Sequence, residues 1–300
     1  MKRGPIGAVG ASGTGLQQVT VLVDRLGLGI SQAIGTGGRD LHSEIGGISM
    51  SKGLRDLAAD PATKVIVLIS KPPAAEVAER ILSEARKAGK PVVVNFLGAD
   101  PSKISGGNVH GARTLEDAAR AAVAIARGEI PRQSYGDVAA PPAGLPPLGA
   151  GQRYIRGLFS GGTFCYEAVL LLDERLADVY SNTPVRREGE LSDLWHSHHH
   201  TMIDLGDDVF TRGRPHPMID LPPAQRAHRQ GGGGSGDGGD PARRRARLWQ
   251  QRGPCRRAGS STCDARARSQ RGTARNLAFV GACLRHRGRP ARARSVRPAL

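Results

Sequence analysis

Two turns of small residues carry the clearest chemical signal in the chain. Ser12-Gly13-Thr14-Gly15 and Ser160-Gly161-Gly162-Thr163 each join an apolar, strand-like run to a helical run. A turn of this kind leaves backbone N–H groups bare at the positive end of a helix. The chemistry it suits is anion binding, with phosphate or carboxylate held by amides. A third stretch, Gly35-Thr36-Gly37-Gly38-Arg39-Asp40, lets backbone approach a ligand at Gly37 and Gly38 and offers Arg39 as a cationic clamp. Lys71, Arg212 and Arg214 are further cations able to close on a phosphate. The first turn lacks the P-loop lysine and does not complete the dinucleotide fingerprint. Its glycines therefore fit tight packing of loop on helix as well as they fit a ligand.

Other reactive residue types are present. His196, His198, His199 and His200 lie near Asp204, Asp207 and Asp208, a set able to ligate zinc or simply to stand in solvent. Cys165 falls at the start of a helical run, where the dipole would lower its pKa; a small buried thiol is the plainer reading. No CxxC spacing occurs, and no metal site is expected.

The elements that must position these residues alternate between strand and helix. Residues 5–10, 30–34, 64–70 and 91–97 read as strands, the last two as continuous apolar runs of the buried parallel type. Helical spacing covers 16–26, 50–59, 76–88 and 114–127, the last capped by Thr114 with Asp117 three residues on. Residues 98–113 carry no regular pattern. This alternation predicts an α/β fold with a parallel sheet covered on both faces, and ligands in such sheets bind past the carboxyl ends of the strands. After a Pro/Gly-rich connector at 128–150, a shorter series follows: strand 154–159, a helix to about Leu172, and strands 177–180 and 201–205. The second turn and helix repeat the design of the first. Two helix N-termini, one per half, could therefore face one ligand. The organisation expected is a first domain at 1–127, a connector, a partial second domain at 151–220, and a tail. A short sheet with open edges is expected to be marginal by itself.

Charge separates the tail from the rest. The chain has 300 residues and a formal charge of +16. Residues 221–300 hold 19 Arg, no Lys, 3 Asp and no Glu, so the basic excess sits there and residues 1–220 are neutral. The body is thus no nucleic-acid-coating globule. The tail is rich in Arg, Gly, Pro and Ala without apolar periodicity, which predicts disorder. It reads as an out-of-frame product of GC-rich coding DNA, with a natural disordered extension or an arginine-rich nucleic-acid arm as the alternatives. No apolar run of about 18 residues is present, and a cytoplasmic protein is expected.

Several segments together resemble the FdrA family, relatives of succinyl-CoA synthetase: Gly4–Gly15, Ala33–Met50, Asp60–Glu79, Gly89–Asp100, Arg113–Val123, Tyr154–Val169 and Ile203–Asp220. The resemblance implies two CoA-ligase-type domains of flavodoxin-like strand order, the second incomplete. It implies a ligase or transferase subunit acting on an acyl phosphate or carbamoyl phosphate in ureide and oxamate nitrogen metabolism. CoA or such a phosphate is the cofactor implied, with a partner subunit or a homo-oligomer. Against the family pattern the chain looks truncated at the front, without a preceding CoA-binding-type region, and altered after Asp220. Succinyl-CoA synthetase passes phosphate through a histidine held between two helix N-termini, matched here by the turns at Ser12–Gly15 and Ser160–Thr163. The histidine-bearing loop has no counterpart in 98–113. His110 falls beyond its place, and Lys71 falls where the family has an acidic residue. The alternative is a non-catalytic association subunit; nucleic-acid binding by the tail is a minor one.

Overall fold

The computed structural model describes residues 1–131 and 154–217. Most of the expected connector and the whole arginine-rich tail lie outside the described residues.

The first unit is a five-stranded parallel sheet. Its strands are β1 (Arg3–Gly10), β2 (Ile30–Gly35), β3 (Val65–Ser70), β4 (Val92–Phe96) and β5 (Val109–Gly111), in the order β2-β1-β3-β4-β5. That is the flavodoxin-like order. Every residue of β3 and β4 is buried. Their β-branched runs suit a sheet covered on both faces, because no side of the strand meets water. Helices α1 (Gly13–Arg25) and α5 (Leu115–Ala126) close one face over Ile6, Ala8, Val67 and Ile69. Helices α2 (Ile48–Ala59) and α3 (Ala75–Arg86) close the other over Val9, Ile66, Leu68 and Val94.

Local chemistry sets the helix starts. Ser12 caps α1 by accepting the Gly15 N–H at 3.0 Å, so the helix begins three residues before its first large apolar residue, Leu16. Thr114 and Asp117 form a complete capping box on α5. Two short elements had no sequence signal: α4 (Pro101–Ile104) and β5. Three residues of strand are too few to show a period, and β5 is defined by pairing with β4, from Val92–Val109 to Val94–Gly111.

The second unit is a three-stranded parallel sheet of β6 (Arg156–Phe159), β7 (Val179–Ser181) and β8 (His200–Asp204), ordered β6-β8-β7. Helices α6 (Gly162–Asp173) and α7 (Asp208–Thr211) accompany it. Strand β7 starts at Val179 rather than Ala177, because Asp178 sits at φ 60°, a left-handed conformation no strand accommodates. Helix α6 is apolar nearly all round, for it serves two cores. Cys165 and Val169 pack against their own sheet, whereas Phe164 joins the α1/α5 face of the first unit. Among the described residues no helix is long and apolar enough to cross a membrane.

Candidate functional site

The two turns singled out by the sequence meet. Ser12 Oγ and Thr163 Oγ1 hydrogen-bond to each other in a buried contact. A Cβ added to Gly161 would stand 2.4 Å from Thr14 Cγ2, and one added to Gly15 would stand 3.2 Å from Thr163 Cγ2 and 3.0 Å from Ile69 Cγ2. The first turns of α1 and α6 thus press together at the carboxyl end of β1. No large hydrophobic side chain separates them. Gly15 and Gly161 are there for this approach, which is the packing role a glycine turn can have.

Other glycines of the set face open space. Nothing lies within 4 Å of a Cβ built on Gly13, Gly35 or Gly37, and the nearest atom to one on Gly38 is Ala11 O at 3.8 Å. Gly37 has φ +87°, so its place in the loop also demands glycine. Ser12 takes the Gly15 N–H, while the N–H groups of Gly13 and Thr14 have no acceptor among the described residues. The loop is tied to the strand ends by Thr36 N–H to Gly10 O and Ala11 N–H to Ile69 O, both 2.9 Å. It is tied again by buried Asp40, whose carboxylate accepts from Ser49 N (3.0 Å) and Met50 N (2.8 Å) at the start of α2. Arg39, beside Asp40, is exposed and its side chain has no partner among the described residues. The opening beside Gly13, Gly37 and Gly38 is the α1 mouth, and exposed Arg39 comes next along the loop. Unpaired N–H groups at a helix start are donors of the kind that hold a phosphate or carboxylate.

The mouth of α6 is different. A Cβ on Gly162 would lie 2.6 Å from Asp204 Oδ2 and 2.7 Å from Lys71 Nζ. Lys71 follows β3 and Asp204 ends β8, so one charge comes from each unit. A carboxylate already stands at the positive end of α6. Burial raises the Asp204 pKa above the usual carboxylate value, against the Gly206 N–H and Lys71, which lower it.

The remaining candidates fall elsewhere. Arg212 and Arg214 lie on the exposed turn after α7. From that segment it is His216 that reaches the cleft, with Nε2 2.9 Å from a Cβ built on Gly206. His110 is on edge strand β5, with β3 and β4 between it and β1, so it does not reach the α1 mouth through the sheet. Cys165 is fully buried and its thiol is pushed up to about 11 by burial, overriding the lowering expected from the start of α6. It is not a poised nucleophile. The histidine run surrounds the opposite, amino end of β8. His199 stacks on Tyr154 (5.0 Å) and on His198 (4.3 Å), His196 bonds Asp193, and His200 Nδ1 accepts from Ile155 N at 3.1 Å. Among the described residues no group of three His, Cys, Asp or Glu is placed to hold a metal.

Two residues of the site, Glu167 and His216, were given no role from the sequence; Asp40 was read only as the end of its loop, and Asp204 only as a partner of the histidine run. Glu167 had a readable signal, since it is the only charge within the apolar run Thr163–Leu172 and so needs a buried partner. That partner is the first N–H of α5, donated by Leu115 at 2.7 Å. Arg113 and Glu174 form a second link between the units, as an ion pair.

Two domain families match the chain: the CoA binding domain over residues 1–98 and CoA-ligase over residues 158–230. The uncharacterized protein YahF of Escherichia coli (strain K12) is 44% identical over 225 residues, covering 73% of this chain and 43% of YahF. The chain therefore spans under half the length of this relative. Together these similarities support an acyl-CoA synthetase-like, succinyl-CoA synthetase-related protein. The unit expected to be of CoA-ligase type, with no CoA-binding-type region before it, is the one matched by the CoA binding domain. Both are parallel α/β units with a glycine turn after the first strand, and alternation of strand and helix does not separate them.

Proposed function

We propose that the chain is an FdrA-like ligase or transferase subunit that holds a small acyl phosphate or carbamoyl phosphate in the α1 mouth. The observation that carries this is the pair of N–H groups at Gly13 and Thr14 that lack an acceptor among the described residues, at a helix start where Gly13, like Gly37, borders open space. Thr163 and Gly161 brace that turn from the second unit, Gly162 lies against Lys71, and Ser160 leads into the same turn. Arg212 and Arg214, exposed on the turn after α7, serve in this reading as outer cations. The CoA of the matched domain families carries phosphate too, and the same amides suit a phosphate group of CoA; when bound, CoA would supply a thiol as acyl acceptor. This chain's own part is to bind and orient the anion and to keep Asp40 and Ser12 holding the loop in shape.

The histidine-bearing loop of succinyl-CoA synthetase has no counterpart in 98–113, and His110 lies on edge strand β5. The predicted behaviour is therefore reversible anion binding without a phosphoenzyme. The test is thermal unfolding of the full chain with inorganic phosphate and with carbamoyl phosphate. A ligand present at a hundred times its Kd should stabilise by roughly 2.7 kcal/mol. A melting temperature unmoved at millimolar ligand would instead favour the second reading, a non-catalytic association subunit. That reading draws support from Asp204, which already compensates the α6 end. An acid-labile label after incubation with radiolabelled nucleoside triphosphate would contradict the absence of a phosphohistidine. Cytoplasmic location and a partner subunit or second copy complete the proposal.

A further inference from the structure

Asp204 and Lys71 meet over the bare Cα of Gly162 without forming a direct ion pair. Asp204 is 6% exposed. Its Oδ1 accepts the Gly206 N–H at 2.8 Å, but its Oδ2, the oxygen aimed at Gly162, accepts no hydrogen bond among the described residues. That oxygen is not sealed away: the only sealed side-chain atoms lacking a hydrogen bond there are Asn95 Oδ1 and His199 Nδ1. An ammonium and a carboxylate held near one point with a gap between them leave room for an oxygen of a third group. Any residue but glycine at 162 would fill that gap.

We propose that Lys71 and Asp204, one from each unit, are a proton-linked grip on the bound anion: Lys71 holds one of its oxygens, and Asp204 takes up a proton as the anion enters. The pair rests on the anion cradle proposed above and adds its pH dependence and its preference for the charge state of the ligand. The physical cause is like-charge repulsion. An anion oxygen drawn to Lys71 must come close to Asp204 Oδ2, and two negative groups in a half-dry crevice cannot both stay ionised at low cost. Lys71 and His216 oppose protonation of Asp204, whereas Asp207 at the start of α7 favours it; Cys165 faces it from within α6 as a neutral thiol. Gly206 donates to Oδ1, and Asn182 engages only the Asp204 backbone. Burial has already moved the carboxyl toward its neutral form. Protonated, Asp204 becomes a donor to the anion.

The test is isothermal calorimetry of the full chain with inorganic sulfate, a tetrahedral dianion that does not itself titrate between pH 5 and 8. Titration in two buffers of different ionisation heat reads proton uptake directly. The natural chain should take up close to one proton per sulfate on the alkaline side and lose up to about tenfold in affinity per pH unit there. D204N keeps an oxygen for Gly206, so it should bind sulfate more tightly at pH 8, with the proton uptake gone. K71M should lose at least about tenfold in affinity. H216N should retain the uptake, which places the proton on Asp204 and not on the imidazole beside it. Uptake that persists in D204N overturns the pair while leaving the cradle intact. Sulfate bound by neither the natural chain nor D204N overturns both.

Discussion

Glu167 gives the sharpest perturbation of how the two units hold together. Its carboxylate sits at the N-terminus of α5 and accepts from Leu115 N at 2.7 Å. Two effects oppose each other there. A carboxylate at a helix start is favourable by roughly 0.3–1 kcal/mol, or up to about 2 when partly buried. Burial opposes the charge, and Asp117 and Glu116 add repulsion. Burial wins, and the carboxyl is pushed up from 4.5 to about 7. Because docking raises this pKa, the group's favourable contribution is whole below about pH 4.5 and is lost as pH rises through about 7. The shift corresponds to at most roughly 3 kcal/mol. Glu167→Gln keeps an acceptor for Leu115 and removes the charge. E167Q should match the natural chain near pH 4 and exceed it by up to roughly 3 kcal/mol at pH 8. The assay is urea unfolding of the full chain, followed by far-UV circular dichroism, at both pH values. Glu167→Ala strands the Leu115 N–H and should destabilise by about 1 kcal/mol or more at either pH. An E167Q chain less stable than the natural one at pH 8 would refute the reasoning, for it would mean that the helix end outweighs burial.

Other outcomes follow from the same contacts. Gly161 has an extended φ of −172°, so Gly161→Ala acts only through the clash with Thr14 and should lower stability by roughly 1–3 kcal/mol in urea, with partial recovery in the G161A/T14S pair. Asp40→Ala leaves Ser49 N and Met50 N without their shared acceptor, which should lower stability in urea by roughly 1–2 kcal/mol and speed amide exchange across residues 36–50, read by mass spectrometry. Cys165, with a thiol at about 11, should stay unlabelled by iodoacetamide at pH 8 in the folded chain and react once urea unfolds it, as peptide mapping would show.

The sequence was most informative where one period ran long. Apolar Val65–Ser70 and Val92–Phe96 announced buried parallel strands, and Thr114 with Asp117 announced the start of α5. The strand order followed from the family resemblance rather than from the pattern. The three-residue strand β5 was invisible, since pairing with β4 and not composition makes it a strand. At the site, the two small-residue turns were legible as helix starts, and the chain does bring Ser12 against Thr163. What was hidden was which glycines pack and which stay open. Gly15 and Gly161 are packed, Gly13 and Gly37 are open, and all four read alike as letters. Asp204 and Lys71 stand 133 positions apart in the chain and meet only because α6 docks on the first unit, a contact no local pattern encodes.

The decisive measurement follows the backbone amides of isotopically labelled protein by two-dimensional NMR during titration with inorganic phosphate. The α1 mouth predicts saturable shifts at Gly13 and Thr14, with smaller ones at Gly37 and Gly38. Shifts that leave those four amides still and appear only among the arginines beyond residue 220 would contradict it.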